Sequence, residues 1–243
     1  MHAIILAGGF GTRLQPVVPD RPKPMAEIDG RPFLEYLILQ LRGQGLRDIV
    51  LSVGHMADLI ENHFGDGGRL GVSITYSREE RPLGTAGATK LAASAKLATS
   101  ATPGERWLVL NGDSIFDIRF DRLLSGHSER KAAATIALAR VDDAARYGNV
   151  ALDAEDRVTA FTEKGDSSAG DPLINAGIYV LERDAIEQIP ADRAVSLERE
   201  VFPTLVGDGL YGVPLDGAFV DIGVPDDYAR LRADPGWLRR LTG

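Results

Sequence analysis

Short apolar runs suited to buried strands alternate with helix-spaced segments along the first half of the chain, and this alternation restricts the fold more than any other feature. Ile4–Ala7, Asp48–Val53, Val72–Tyr76 and Trp107–Leu110 read as strands. Between them, Phe33–Leu41 carries apolar residues at helical spacing (Phe33, Tyr36, Leu37, Leu41) and is stopped by Gly43 and Gly45. Met56–Phe64 reads as a helix ending near Gly65, and the Ala-rich Thr85–Leu97 as another. This rhythm predicts βαβ units and a mostly parallel sheet.

The second half changes character. Ala132–Ala139, Val150–Leu152, Val158–Phe161 and Ile174–Leu181 are strand-like with short polar connections, and Ala218–Asp221 leads into a helix beginning near Pro225. The expected fold class is α/β: a Rossmann-like mixed, mostly parallel central sheet flanked by helices, with a small antiparallel substrate lid. No linker rich in Pro, Gly or Ser divides the 243 residues, so one domain is expected.

Composition excludes several function classes. Cysteine is absent, which removes disulfides, thiolate metal sites and a cysteine nucleophile together. The four histidines are scattered, and no ligand set for zinc surrounds them. With 27 basic against 35 acidic residues the net charge is −8, which repels polyanions, so nucleic acid is not an expected partner. No apolar run reaches the ~18 residues of a membrane span, and the N-terminus lacks the basic leader of a signal peptide. No membrane partner and a cytoplasmic location are the expectations.

Small anions remain open as substrates, because positive charge is concentrated locally. Directly after the first strand comes Gly8-Gly9-Phe10-Gly11-Thr12-Arg13-Leu14. Glycines at 8, 9 and 11 allow backbone N–H groups to approach an anion without Cβ obstruction. The Walker pattern is absent, and G-x-G-x-x-G fails because Leu14 stands at the third glycine. A plain Gly-rich turn would look the same. Arg13, Arg21 and Lys23 follow closely, with Pro22 and Pro24 bracketing Lys23. A solvated basic loop fits those residues too, although a flexible surface lysine needs no such stiff backbone.

Asp113 stands just beyond the Trp107–Leu110 run, and Asp221 ends Ala218–Val220. Aspartates at strand ends suit Mg²⁺, which takes one or two carboxylates and completes its shell with water and phosphate. Either could equally be a turn residue or a helix N-cap. Asp117, Asp226 and Asp227 nearby read as capping or solvated residues.

Leu6–Leu14 together with Arg21-Pro22-Lys23-Pro24-Met25 resembles the signature of the sugar-1-phosphate nucleotidyltransferases, G-G-x-G-T-R-L followed by P-K-P. The resemblance continues through Pro82–Gly87, Asn111-Gly112-Asp113, Phe161-Thr162-Glu163-Lys164, Asn175-Ala176-Gly177 and Asp221-Ile222-Gly223. Within the family, Pro24-Met25, Asn111–Ser114 and Asp221–Tyr228 resemble the bacterial D-glycero-D-manno-heptose 1-phosphate guanylyltransferases.

The resemblance implies a nucleotide-diphospho-sugar transferase type of fold, with residues 1–130 as the nucleotide half and 131–243 as the sugar half. It implies GTP and a sugar 1-phosphate as substrates, Mg²⁺ on Asp113 and Asp221, and Arg13 and Lys23 acting on the phosphates. Nucleotide contacts would come from Leu6, Ala7, Gly8, Gly9, Gly11 and Thr12, and from Gly84 and Glu79. Glu80 could replace Glu79, and either could be solvated. Gly148, Glu163, Lys164 and Asn175 would hold the sugar phosphate, although Glu163-Lys164 also fits an exposed loop and Asn175 could satisfy turn backbone. Val224 departs from the Thr or Ser common before Pro225, which leaves the last helix without a hydroxyl cap. The C-terminal β-helix domain of some relatives is not expected, and a homo-oligomer is compatible with these features. Mannose 1-phosphate guanylyl transfer, amino-sugar 1-phosphate uridylyl transfer and a non-catalytic nucleotide-sugar sensor are the rival readings.

Overall fold

In the computed structural model, which describes residues 1–97, 106–141, 149–162, 173–191 and 193–241, strand β1 (His2–Leu6) sends Ala3 and Ile5 into one hydrophobic core and Ile4 into another. All three are fully buried. A strand apolar on both faces needs cover on both sides, and helices supply it.

A small hairpin, β2 (Glu27–Ile28) and β3 (Arg31–Pro32), precedes α1 (Phe33–Gly43), β4 (Asp48–Val53), α2 (Ala57–Phe64), β5 (Ser73–Arg78) and α3 (Gly84–Leu97). Then come β6 (Arg106–Asn111), β7 (Ser114–Phe116), α4 (Phe120–Arg130), β8 (Ala134–Arg140), β9 (Asn149–Leu152), β10 (Val158–Thr162) and β11 (Leu173–Glu182). The chain continues through α5 (Arg183–Glu187), α6 (Phe202–Leu205), β12 (Leu210–Leu215), β13 (Phe219–Asp221), α7 (Pro225–Ala233) and α8 (Gly236–Leu241).

The main sheet runs β10-β9-β11-β6-β1-β4-β5, with β8 joined to β11 and β12 to β8. β5, β4, β1 and β6 are mutually parallel, and β11 joins β6 antiparallel. β9 and β10 form the antiparallel part expected in the second half, tied to β11 at Ile174 and Asn149. β1 lies between β4 and β6, so successive connections leave it in opposite directions. Such a switch point opens a crevice at the carboxyl ends of the strands, where ligands bind. Two ribbons stand apart from the sheet, β2 with β3 and β7 with β13.

α4 and β12 are among the elements that the sequence pattern does not announce. α4 buries little beyond Phe120, Leu123, Gly126 and His127. Tertiary contacts hold it: Gln44 Oε1 accepts from the Phe120 N–H at 2.8 Å, and Gly126 lies so close to Val213 that a Cβ would come within 2.9 Å. β12 contains Gly212 and Pro214, which argue against a strand, but it lies at the end of the β8 branch, where proline is tolerated. No helix among the described residues is long and apolar enough to cross a membrane.

Candidate active site

The glycine loop leaves β1 at the switch point and is held at both ends. The Ala7 N–H donates to Ser52 O at 2.7 Å, and at the far end Leu14 is 1% exposed, its N–H turned back to Gly11 O at 3.0 Å. Gly8 passes so close beneath Glu79 that any Cβ would strike the carboxylate. Gly11 has φ +61°, and a Cβ there would lie 2.7 Å from that of Lys23. Larger residues would be strained and would displace the lysine. Gly9 faces open space, and Thr12 and Arg13 are exposed at the crest.

Lys23 begins a single 3₁₀ turn, Lys23–Met25, entered from extended Pro22 (φ −67°, ψ 149°). Pro24 and Met25 are buried and fix this turn to the body of the protein. The Lys23 side chain is only 10% exposed, and its ammonium pairs with the Asp113 carboxylate. The two prolines therefore hold an inward-pointing cation rather than a surface one.

Asp113 arrives from β6. The Gly112 N–H donates to Leu6 O at 2.9 Å, which turns the chain across the end of β1. β7 then pairs antiparallel with β13 and places Ser114 opposite Asp221, while the Ile222 N–H donates to Asp113 O at 2.9 Å. This ribbon brings two aspartates from distant segments to one place. Asp221 accepts from the Gly223 N–H, and a Cβ built on Gly223 would lie 2.6 Å from Asp221 Oδ1 and 3.3 Å from Lys23 Nζ.

Burial pushes the Asp221 carboxyl above its ordinary pKa, and the negative charge of Asp113 adds to this. Lys23 and Arg13 pull the other way. Asp113, Lys23 and Arg13 thus all act on Asp221. Among the described residues no group of three or more His, Asp or Glu could by itself hold a metal. Two neighbouring carboxylates that already attract an ammonium fit a small, hard dication whose remaining ligands are water and phosphate.

Beside this cluster lies a cleft of about 290 Å³, lined by Leu6, Gly8, Gly9, Glu79, Gly84 and Asp113 among others. Glu79 Oε1 accepts from Ser52 Oγ at 3.2 Å and Oε2 from the Leu83 N–H at 3.0 Å, while burial raises its carboxyl pKa. Glu80 is exposed and lines a separate groove with Arg78 and Arg81. Of the two adjacent acids, only Glu79 borders the cleft. The family resemblance names Glu79, with Glu80 left open as its replacement.

Asn175 sits on β11 at the start of a bulge, where residues 176–178 of β11 oppose Ala137 alone on β8. Its Oδ1 accepts from the Gly177 N–H at 2.8 Å and its Nδ2 donates to Tyr179 OH at 3.1 Å. The amide thus serves the bulge, the turn-type role also open from sequence. The bulge packs Gly177 onto Asn111, next to the turn that carries Asp113. Gly148, Glu163 and Lys164 lie outside the described residues. Asp227 is 5% exposed and paired with Arg230, so it is not solvated. Sequence reasoning passed over Phe10, Thr85 and Asn111, all of which line the cleft. Phe10 is 55% exposed with its ring 5.3 Å from that of His55, and its glycine neighbours were the only signal.

A glycine loop, a lysine and two aspartates gathered at the switch point of an α/β sheet define a phosphate-handling enzyme. Residues 2–235 match the nucleotidyl transferase family, and the chain belongs to it. It is 41% identical over 237 residues to the mannose-1-phosphate guanylyltransferase of Mycobacterium tuberculosis, covering 96% of this chain and 64% of that one. It is 38% identical over 235 residues to the D-glycero-alpha-D-manno-heptose 1-phosphate guanylyltransferase of Aneurinibacillus thermoaerophilus, covering 96% and 98%. The crystal structure of HddC from Yersinia pseudotuberculosis complexed with GMP-PN superimposes with a TM-score of 0.82 at 33% identity, covering 96% and 99%. The chain is a nucleotidyltransferase.

Proposed function

We propose that the protein transfers GMP from GTP to a sugar 1-phosphate, D-glycero-D-manno-heptose 1-phosphate by preference, giving the GDP-sugar and pyrophosphate. The observation that carries this reading is the meeting of Lys23, Asp113 and Asp221 beside the glycine loop. A sensor of nucleotide sugars would need no such carboxylate pair.

The sugar-phosphate oxygen is already anionic at neutral pH, so its attack on the α-phosphorus needs no general base. What it needs is positioning and neutralised charge. Mg²⁺, when bound by Asp113 and Asp221, would supply that neutralisation between the two phosphate groups. Backbone N–H groups from Gly8 to Thr12 cradle the triphosphate, and Leu6 and Ala7 bring the loop to it. Arg13 offsets charge on the departing pyrophosphate, and Lys23 bears on the reacting phosphates. Glu79 accepts from N1–H and the N2 amino group of guanine, and the backbone at Gly84 contacts the base. Residues 131–243 take the sugar, through Gly148, Glu163, Lys164 and Asn175.

This reading places the reaction in the cytoplasm, where GTP is at hand, and is compatible with a homo-oligomer. A second reading, mannose 1-phosphate as acceptor, draws on the 41% identity to the mycobacterial relative. The test is pyrophosphate release from five nucleoside triphosphates against a panel of hexose and heptose 1-phosphates, with and without Mg²⁺. The heptose phosphate with GTP should give the highest kcat/KM. A mannose phosphate ahead of it would move the assignment to the second reading, and no release from any pair would end both.

A further inference from the structure

Glu198 lies on a π-helical turn, Leu197–Val201, away from the phosphate cluster, yet its carboxylate joins both sides of the site. Oε2 accepts from Thr85 Oγ1 and Ser196 Oγ, both at 2.7 Å, and Oε1 accepts from Tyr179 OH at 3.0 Å. All three donors are hydroxyls. Thr85 lines the nucleotide cleft in the first turn of α3. Tyr179 is fully buried and accepts from Asn175 Nδ2, on the bulge that packs against the turn carrying Asp113.

Backbone bonds reinforce the bracket. The Val195 N–H donates to Leu83 O at 2.8 Å, the Ala86 N–H donates to Val195 O at 2.9 Å, and the Leu197 N–H donates to Thr85 Oγ1 at 2.8 Å. Two amides of the first turn of α3, those of Ala86 and Gly87, are thereby engaged by Val195 O rather than offered to phosphate. Apolar contacts alone could hold α3 on the sheet. A half-buried carboxylate shared by three hydroxyls adds direction, because each bond fixes an angle as well as a distance.

We propose that Glu198 is a positioning residue that couples the nucleotide side of the site to the sugar-phosphate side, by holding Thr85 and Tyr179 on one carboxylate. Order imposed by a ligand on the cleft wall then passes to the Asn175 bulge, and the reverse holds by linkage. This rests on the transferase reading above.

The test compares Glu198→Gln, Tyr179→Phe, Thr85→Val and the Thr85/Tyr179 double variant. Readouts are KM for GTP and for the sugar 1-phosphate, kcat, and affinity for a GTP analogue with an α–β imido bridge. Loss of a hydrogen bond to a charged group has effects on the order of tenfold. Glu198→Gln should therefore raise both KM values by about that factor, with a smaller change in kcat. Thr85 and Tyr179 share the Glu198 carboxylate, so the double variant should be little worse than either single one. Additive single effects, a rise confined to one KM, or a lowered Tm with both KM values unchanged would each overturn the coupling. If Glu198→Gln does not fold, the other variants carry the test. Should the wild-type protein release no pyrophosphate, analogue binding still decides: Tyr179→Phe, outside the cleft, must weaken it.

Discussion

The ammonium of Lys23 pairs with the carboxylate of Asp113, joining a proline-bracketed turn to the tip of β6. Neither segment is near the other in sequence. Gly11 makes the contact feasible, because only a residue without Cβ lets the lysine stem pass beneath the loop.

Removing that ammonium should affect rate more than stability. Lys23→Ala is expected to lower kcat by about 10²–10³, the usual effect of losing one preorganised charge-stabilising donor. The fold should survive, since the turn is anchored by buried Pro24 and Met25. Pyrophosphate release, with circular dichroism as the folding control, checks this. Turnover like that of the wild type would remove Lys23 from the mechanism.

Asp221→Asn should separate stability from activity. The Asp221 pKa is raised in the folded state, first by burial and then by Asp113, so its charged form disfavours folding at neutral pH. The amide keeps an acceptor for the Gly223 N–H. In EDTA the variant is expected to melt above the wild type, yet to lose Mg²⁺-dependent turnover. A lower Tm in EDTA would contradict the account.

His127 should make the protein acid-sensitive. Its side chain is 1% exposed, with Nδ1 2.8 Å from Thr135 Oγ1 and Nε2 3.0 Å from Glu182 Oε1. Burial lowers its pKa, and this outweighs the opposing pull of Glu182. With the folded pKa below the unfolded one, the unfolded chain binds the proton first. Stability is therefore lost as pH falls below about 6.5 and levels off below the folded pKa. Urea midpoints between neutral pH and pH 5 should fall for the wild type and fall less for His127→Gln.

α7 begins at Pro225 from an extended Val224 (φ −131°, ψ 151°) with no side-chain cap. Val224→Thr keeps the branched shape and supplies an acceptor for the first-turn amides. A gain of about 1 kcal/mol is expected, which is roughly 2–4 °C in Tm for a chain of this size. Differential scanning calorimetry measures it, and an unchanged Tm would mean the hydroxyl does not reach those amides.

Much of the architecture was legible. Asp48–Val53 is a strand over the residues its apolar pattern indicates, and the helix read from Phe33 begins there. Such elements announce themselves because their periodicity reflects which face they bury. α4 and β12 did not, since one is mostly polar and the other carries glycine and proline; each is held by neighbours. In the site, the residues alone left Arg13, Lys23, Asp113 and Asp221 open to plainer roles and the family resemblance singled them out, while nothing local marked Glu198.

The division follows from how each property is encoded. Strand and helix periods, the glycine loop and the proline-bracketed lysine depend on neighbouring residues, so sequence alone determined them. Convergence depends on which strand lies beside which. Placing β1 between β4 and β6 opened the crevice, and pairing β7 with β13 carried Asp221 to Asp113. Those are long-range pairings, settled by packing the whole sheet at once, and only the tertiary structure decided them.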